Sequence, residues 1–338
     1  MHRRVEQQSQ EQRSASITVR TSTQIAAAIP YLLGFHPHES LVALWMRGGV
    51  LVVAQRADLP EEESMNDEST NDESIDDFVE AYLVPAAGVD ADEVLFACFT
   101  RHRARGCAIV ERTLDVAAVL SRGGLLIKGS QVCEVTGKDE WRWISTRDRQ
   151  WAKENFATKV APRADREAVI QEAAFDEGSL DRVGPMEDSE LDVDALATVI
   201  ASGEMSDNAI RTLRDSCHSL RGRDLVMWWA ARSSLPERGV VLDQLLAALR
   251  ASPTGAHLAC AAAVVAWLCG DGVRANACLE RCLDEEPQHL MGRMLEGAIN
   301  AALAPSSFAA MMAEVDPHSL GLEGSWLDEQ RGPRYSPA

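Results

Sequence analysis

The sequence lacks every short glycine motif that cradles a phosphate. It has no P-loop, no Gly-x-Gly-x-x-Gly behind a strand and no His-Glu-x-x-His. Arg122-Gly123-Gly124 and Lys128-Gly129-Ser130 are loop glycines without the helix start such a cradle needs. Long apolar runs are missing too. The longest, Leu258 to Cys269, is about half the ~20 residues needed to span a bilayer. The polar, Gln-rich stretch from Met1 to Ser16 carries no apolar core of a secretory signal. Eight cysteines are scattered without a disulfide framework, and most sit inside apolar patterns, as Cys98 and Cys260 do. This favours buried, reduced thiols in a cytosolic protein. Lysine is scarce, and the formal charge of −19 repels phosphate backbones, so no nucleic-acid partner is expected. Arg101, His102, Arg103 and Arg105 cluster, but one helix turn of basic residues reads as a solvated face.

What is present is enough for two domains in 338 residues. Residues 1–15 read as a disordered tail. Ile17 to Arg20 alternates like a short strand, and Thr21 to Thr23 offer caps for a helix through Ile29. Leu41 to Met46 and Val50 to Gln55 flank Arg47-Gly48-Gly49, a hairpin signal. Residues 61–77 are acidic, and Asn66 to Thr70 is nearly repeated by Asn71 to Ile75. A polar duplication buries no core, so a disordered insertion is expected; a calcium loop would need a glycine that is missing. A helix around Phe78 to Val84, a strand over Val94 to Thr100, a helix over Ala104 to Leu120, and strands over Leu125 to Val135 and Trp141 to Ser145 follow. From about Arg163 the strand signal stops. The expectation is an α+β chain: a mixed α/β sheet domain over 16–160, an all-helical domain over 161–315, and a tail over 316–338.

The strongest internal signal is a repeat. Val241, Leu245, Ala248, Leu249 and Pro253 recur as Ala275, Leu279, Cys282, Leu283 and Pro287, 34 residues later throughout. Apolar residues at that spacing, closed by proline, follow the tetratricopeptide pattern. Helix pairs are expected at about 222–253 and 256–287, with a final helix over Leu290 to Leu303. Trp229 stands where the repeat prefers a small residue, which predicts a wider first pair.

Ile29-Pro30-Tyr31-Leu32-Leu33-Gly34-Phe35-His36-Pro37, Ser40-Leu41-Val42 and Arg56-Ala57-Asp58-Leu59-Pro60 resemble the opening motifs of the actinobacterial domain-of-unknown-function family 4192. Leu268 to Gly272, Ala275-Asn276-Ala277 and Asp284 to Pro287 resemble its closing motif. The similarity covers about 17–305. It implies bacterial cytoplasm and a two-part layout, and no activity. Family members carry a cysteine pair near a Pro and Gly after the middle strands; here only Cys133 stands in that region.

Arg56 and Asp58 lie two apart at a strand end and so share one face. With His36 and Ser40 they are the candidate small-ligand site, against the plainer reading of a structural ion pair. His36, His38 and Glu39, with Asp58, form a possible metal string, but the histidines flank a loop proline. No Gly-x-Ser-x-Gly elbow surrounds Ser40. Cys278 and Cys282, near Cys269 and His289, suggest zinc by type, yet Cys282 falls on a repeat position that wants burial, so core thiols are expected. No metal, cofactor or catalytic residue is assigned. The leading expectation is a non-enzymatic interaction protein whose helical surface, with Arg232, Arg293 and Asn300, takes a protein or peptide partner. The rival is a small-ligand binder or enzyme at the sheet end.

Overall fold

The computed structural model describes residues 17–60, 68–117, 119–135, 140–156, 162–186, 191–301 and 303–325. Residues 17–20, expected as a strand, are exposed coil. Alternation makes a strand only where a neighbouring edge accepts its hydrogen bonds, and among the described residues none pairs with it. Thr21 caps helix α1 (Ser22–Leu33), its hydroxyl accepting from Gln24 N–H at 3.2 Å. Gly34 ends that helix in the left-handed region, at φ 81°.

β1 (Ser40–Arg47) and β2 (Val50–Asp58) form the hairpin that the glycine pair predicts; Gly48 and Gly49 take φ of 56° and 77°. With β3 (Glu93–Phe99), β4 (Leu120–Lys128), β5 (Gln131–Glu134) and β6 (Arg142–Trp143) they make one six-stranded sheet in the order β2-β1-β3-β4-β5-β6. Only β3 and β4 run parallel among these pairs, linked by helix α3 (Arg103–Val116). Leu120, expected in that helix, instead starts β4 opposite Glu93. The stretch 125–135, expected as one strand, is the β4–β5 hairpin, turning at Gly129 with φ 58°.

The acidic segment expected as disordered over 61–77 divides. Residues 61–67 lie outside the described residues, and the rest opens helix α2 (Glu68–Leu83). Ile75, Val79 and Tyr82, at helical spacing, are buried against the sheet, while Asp76 and Asp77 face solvent. Composition hid this stripe because the charged residues outnumber the anchors. α2 and α3 cover one sheet face; α1 and α4 (Thr146–Asn155) cover the other.

Among the described residues ten helices follow or close the helical half: α5 (Arg166–Ala173), α6 (Glu177–Val183), α7 (Val193–Ser202), α8 (Asp207–Ser216), α9 (Leu220–Arg232), α10 (Leu235–Arg250), α11 (Ala256–Leu268), α12 (Gly272–Glu285), α13 (Leu290–Asn300) and α14 (Pro305–Glu314). The two expected helix pairs correspond to α9–α10 and α11–α12. α11 and α12 pack closely along their length, and small residues such as Ala259, Ala263, Ala275 and Cys278 are fully buried there. α9 and α10 meet chiefly through α11 rather than each other. Trp229 stands on α9 where α11 has Ala263, 34 residues on. The tail expected from 316 begins with a 3-10 turn (Pro317–Leu320), and Leu322 beyond it is buried in the helical core.

The halves are joined by α5, which places Val169 in the sheet core and Ala173 in the helical core. A chain of charges reinforces the join. Arg274 of α12 is almost fully buried between Asp271 and Glu172, donating to Glu172 at 2.8 Å through Nε. Glu172 also pairs with Arg163. The Arg163 backbone in turn bonds Gly34 O (2.9 Å) and His36 N–H (3.0 Å), at the loop leaving α1. Removing one member of a buried pair strands the others. Arg274→Leu is therefore expected to lower stability by about 3–5 kcal/mol in chemical denaturation, and Arg274→Lys to recover only part of it, because an ammonium cannot fork to both carboxylates.

Candidate functional site

The parallel pair β3–β4 ends at Phe99 and Lys128, and a cleft of about 790 Å³ opens beyond those ends on the α1–α4 face. Ligands in open α/β sheets settle in such crevices outside the carboxyl ends of strands. Phe99, Ile127 and Ile144 make an apolar floor, and Pro30 and Tyr31 of α1 make one wall. Pro30 lies inside α1 and has no N–H to give the Ala26 carbonyl, one turn back on the same wall. The rim is polar: His36, His38, Glu39, Thr100, Arg101 and Arg149.

Glu39 organises this rim. Among the described residues it is the one non-glycine with positive φ, 37°, a conformation that persists only where surroundings enforce it. Its carbonyl accepts from Leu59 N–H at 2.8 Å, and its carboxylate accepts from the Thr100 hydroxyl at 2.7 Å and the Arg101 N–H at 3.1 Å. Burial acts to raise its pKa, but these hydrogen bonds and the charges of His102 and Arg101 outweigh burial and hold it below the usual value of 4.5. His36 is also lowered, from its usual 6.5: burial first, then His38 and Arg149, disfavour its cation. Arg149, in the second turn of α4, follows the Ser145–Asp148 capping box and reaches Ser130 Oγ. The cleft thus carries two guanidinium groups against one carboxylate, which is hydrogen-bonded and lies 3.8 Å from Arg101 Nε.

Of the four residues expected to bind ligand, only His36 lines this cleft. Arg56, Asp58 and Ser40 do come together, but as a closed set beside it. Arg56 donates to Ser40 Oγ at 2.7 and 3.0 Å and to Asp58 Oδ2 at 3.0 Å, and lies 5.5 Å from the Phe35 ring centroid. Ser40 Oγ donates to His38 O at 2.5 Å. The metal string does not close either, because Glu39 turns to Thr100 and Asp58 to Arg56. The three residues expected to face a partner are dispersed. Arg232 donates to Ala313 O of α14 at 2.7 Å and packs on Trp228, 4.9 Å from its ring centroid. Arg293 bonds Pro287 O and Glu296, both at 2.8 Å, and Asn300 is exposed at the end of α13. The face of α9 bearing Arg232 is covered by the chain's own α14: Trp228 Nε1 donates to Val315 O at 3.0 Å, and Phe308 packs against Trp267.

Sequence spacing misses Glu39 as an organiser, and misses Thr100, Arg101 and Arg149, because they converge from three separate connections. It also misses His257 and Cys260, which sit three apart on α11 and meet Cys282 and His289. That i, i+3 pair is the one local signal available. His218 Nε2 and Ser252 Oγ lie 3.2 Å apart, but Ser252 is fully buried and donates to Thr254 O, so it offers no nucleophile to a substrate.

These features define a two-part α+β protein with a polar-rimmed cleft at the sheet end. Residues 23–153 and 144–306 match the family described as domain of unknown function (DUF4192), and the chain belongs to that family. No curated protein and no solved structure matches it. Among the described residues no helix is long and apolar enough to cross a membrane.

A carboxyl whose folded pKa is depressed stabilises the fold above its unfolded pKa, and that contribution is lost as pH falls through the folded value. Glu39→Gln is expected to cost about 1 kcal/mol near pH 7. In urea titrations the gap to wild type should close as pH drops below the ordinary 4.5, where the wild-type carboxyl also becomes neutral.

Proposed function

We propose that this protein binds a small anionic ligand in the β3–β4 cleft, with no chemistry of its own. The observation that carries the reading is the convergence of Arg101 and Arg149 on an apolar-floored cleft in a chain of net charge −19. Arg149 and Arg101 would take a carboxylate or phosphate group, since guanidinium forks match both. The floor and Tyr31 would cover an apolar or planar part, and the Ala26 carbonyl would accept from a donor on the ligand. The helical half is a buttress in this reading: its α12 holds Glu172 and, through Arg163, the loop that carries His36.

The setting we infer is cytosolic, in keeping with unbridged Cys260, Cys278 and Cys282. The tetratricopeptide-like interaction surface has less support than the cleft. The α11–α12 pair favours it, but the neighbouring face at Arg232 is covered by α14.

Thermal-shift screening with inorganic phosphate, nucleotides and small di- and tricarboxylates, followed by calorimetry on any hit, tests the proposal. At least one probe is expected to raise the melting temperature and bind once per chain. Arg149→Ala should weaken it by about 10- to 100-fold, the worth of a charge-assisted hydrogen bond. If no probe shifts the wild type, or Arg149→Ala binds as well, the cleft is not an anion site.

A further inference from the structure

Far from the cleft, three helices bring sulfur and nitrogen ligands to one point. Cys260 is on α11, Cys282 on α12, and His289 caps the start of α13. Their Sγ, Sγ and ring nitrogen atoms lie within 4.8 Å of one another, and all three residues are buried. A second group, His257, Glu286 and His289, meets the same limit and shares His289. We propose that Cys260, Cys282 and His289 are the protein ligands of a zinc ion.

The surrounding core shows why simple filling does not account for this cluster. α11 is otherwise packed by alanine, valine and leucine, which fill space without needing partners. An imidazole beside two thiols is a good ligand set, since borderline zinc takes thiolate and imidazole together. Tetrahedral zinc spaces its ligand atoms by about 3.3–3.8 Å, so the observed cluster closes with side-chain shifts on the order of an ångström.

The hydrogen bonds indicate which histidine atom coordinates. His289 Nδ1 accepts from Gly292 N–H at 3.0 Å and so carries the lone pair. Nε2 faces His257 Nδ1 at 2.7 Å, where its proton is donated. Gly292 marks the shared space: a Cβ there would lie 3.2 Å from Cys282 Sγ and 3.4 Å from His289 Nδ1. Zinc takes the Nδ1 lone pair in place of the Gly292 N–H. The Nε2–H bond to His257 persists as the outer contact that orients a ligating histidine.

Charge also balances. Zinc binding releases both thiol protons to solvent, and two thiolates neutralise the dication. Arg223 lies nearby, its Nη1 3.4 Å from His289 Nε2, and is matched by Asp224 at 2.6 Å. The loaded site adds no net charge to the helical core. It would pin α11, α12 and α13 together.

The test uses the full chain, reduced and stripped with chelator, titrated with cobalt(II) and then with zinc. One equivalent of cobalt is expected to give a thiolate-to-metal charge-transfer band and tetrahedral visible bands, both removed by one equivalent of zinc. Cys260→Ser and Cys282→Ser should each weaken zinc by about 100-fold or more, and His257→Gln by about 10- to 100-fold. Cys278→Ser, one turn from Cys282, should bind as wild type. Should Cys282→Ser not fold, X-ray absorption at the zinc edge of the loaded wild type decides: two sulfur neighbours at about 2.3 Å and a nitrogen at about 2.0 Å must appear, and a zinc without sulfur neighbours would overturn the assignment. Reduced wild type that takes up no cobalt, a cobalt spectrum without the charge-transfer band, or a Cys278→Ser variant that loses binding equally would overturn the assignment.

Discussion

Helix α11 has no face to give to water. From Leu258 to Ala266 every residue is fully buried, so its neighbours are obligatory rather than optional. α9, α10, α12, α13 and α14 all pack on it. Burial of this kind is worth roughly 25 cal/mol per Å² of apolar surface, and it explains why the C-terminal segment folds back onto α9 and α11. An uncovered Trp228–Trp267 face would be a large apolar patch. The chain covers it with Phe308 and Met312 and fixes the cover with the Trp228–Val315 and Arg232–Ala313 bonds. That Trp228–Trp267 face is here part of the core.

The same helix dictates the connection to the sheet. α12 is held close to α11 by small residues, and α12 carries Arg274 and Asp271 toward Glu172. Glu172 and Arg163 then brace the turn at Gly34 and the loop after it. The rim of the cleft is thus positioned from two sides. Glu39 is held by Thr100 and Arg101 within the sheet half, and His36 is held through Arg163 by the helical half. A loop with one strained residue keeps a single conformation only when both of its ends are fixed.

Much of the fold is legible in residue patterns because those patterns are local. The Gly48–Gly49 turn and the Thr21 cap each depend on neighbours a few residues apart. Errors arise where a distant partner decides. The apolar stripe of α2 matters only because the sheet face needs covering, and Leu120 becomes a strand residue only because β3 accepts it. The candidate site suffers most. Arg56 and Asp58 lie two apart in sequence and satisfy each other, whereas Arg101, just after β3, and Arg149, on α4, reach the cleft from positions nearly fifty residues apart. Helical spacing led to Cys278 and Cys282 as a pair, but one turn of α12 separates their surroundings. The sulfur that Cys282 meets is Cys260, on another helix.

Net charge and local charge act on different length scales, and the cleft depends on that difference. At physiological ionic strength the Debye length is about 8 Å, so most of the chain's −19 is screened from a ligand already seated between Arg101 and Arg149. An anion bound as we propose would meet the two guanidinium groups at contact distance, Arg101 from an exposed position on the rim. Glu39 offsets part of that charge, since its Oε1 lies 3.8 Å from Arg101 Nε, while its hydrogen bonds go to the Thr100 hydroxyl and the Arg101 N–H. Its backbone at φ 37° acts together with its hydrogen bonds to keep the acid on the protein's own groups at the rim.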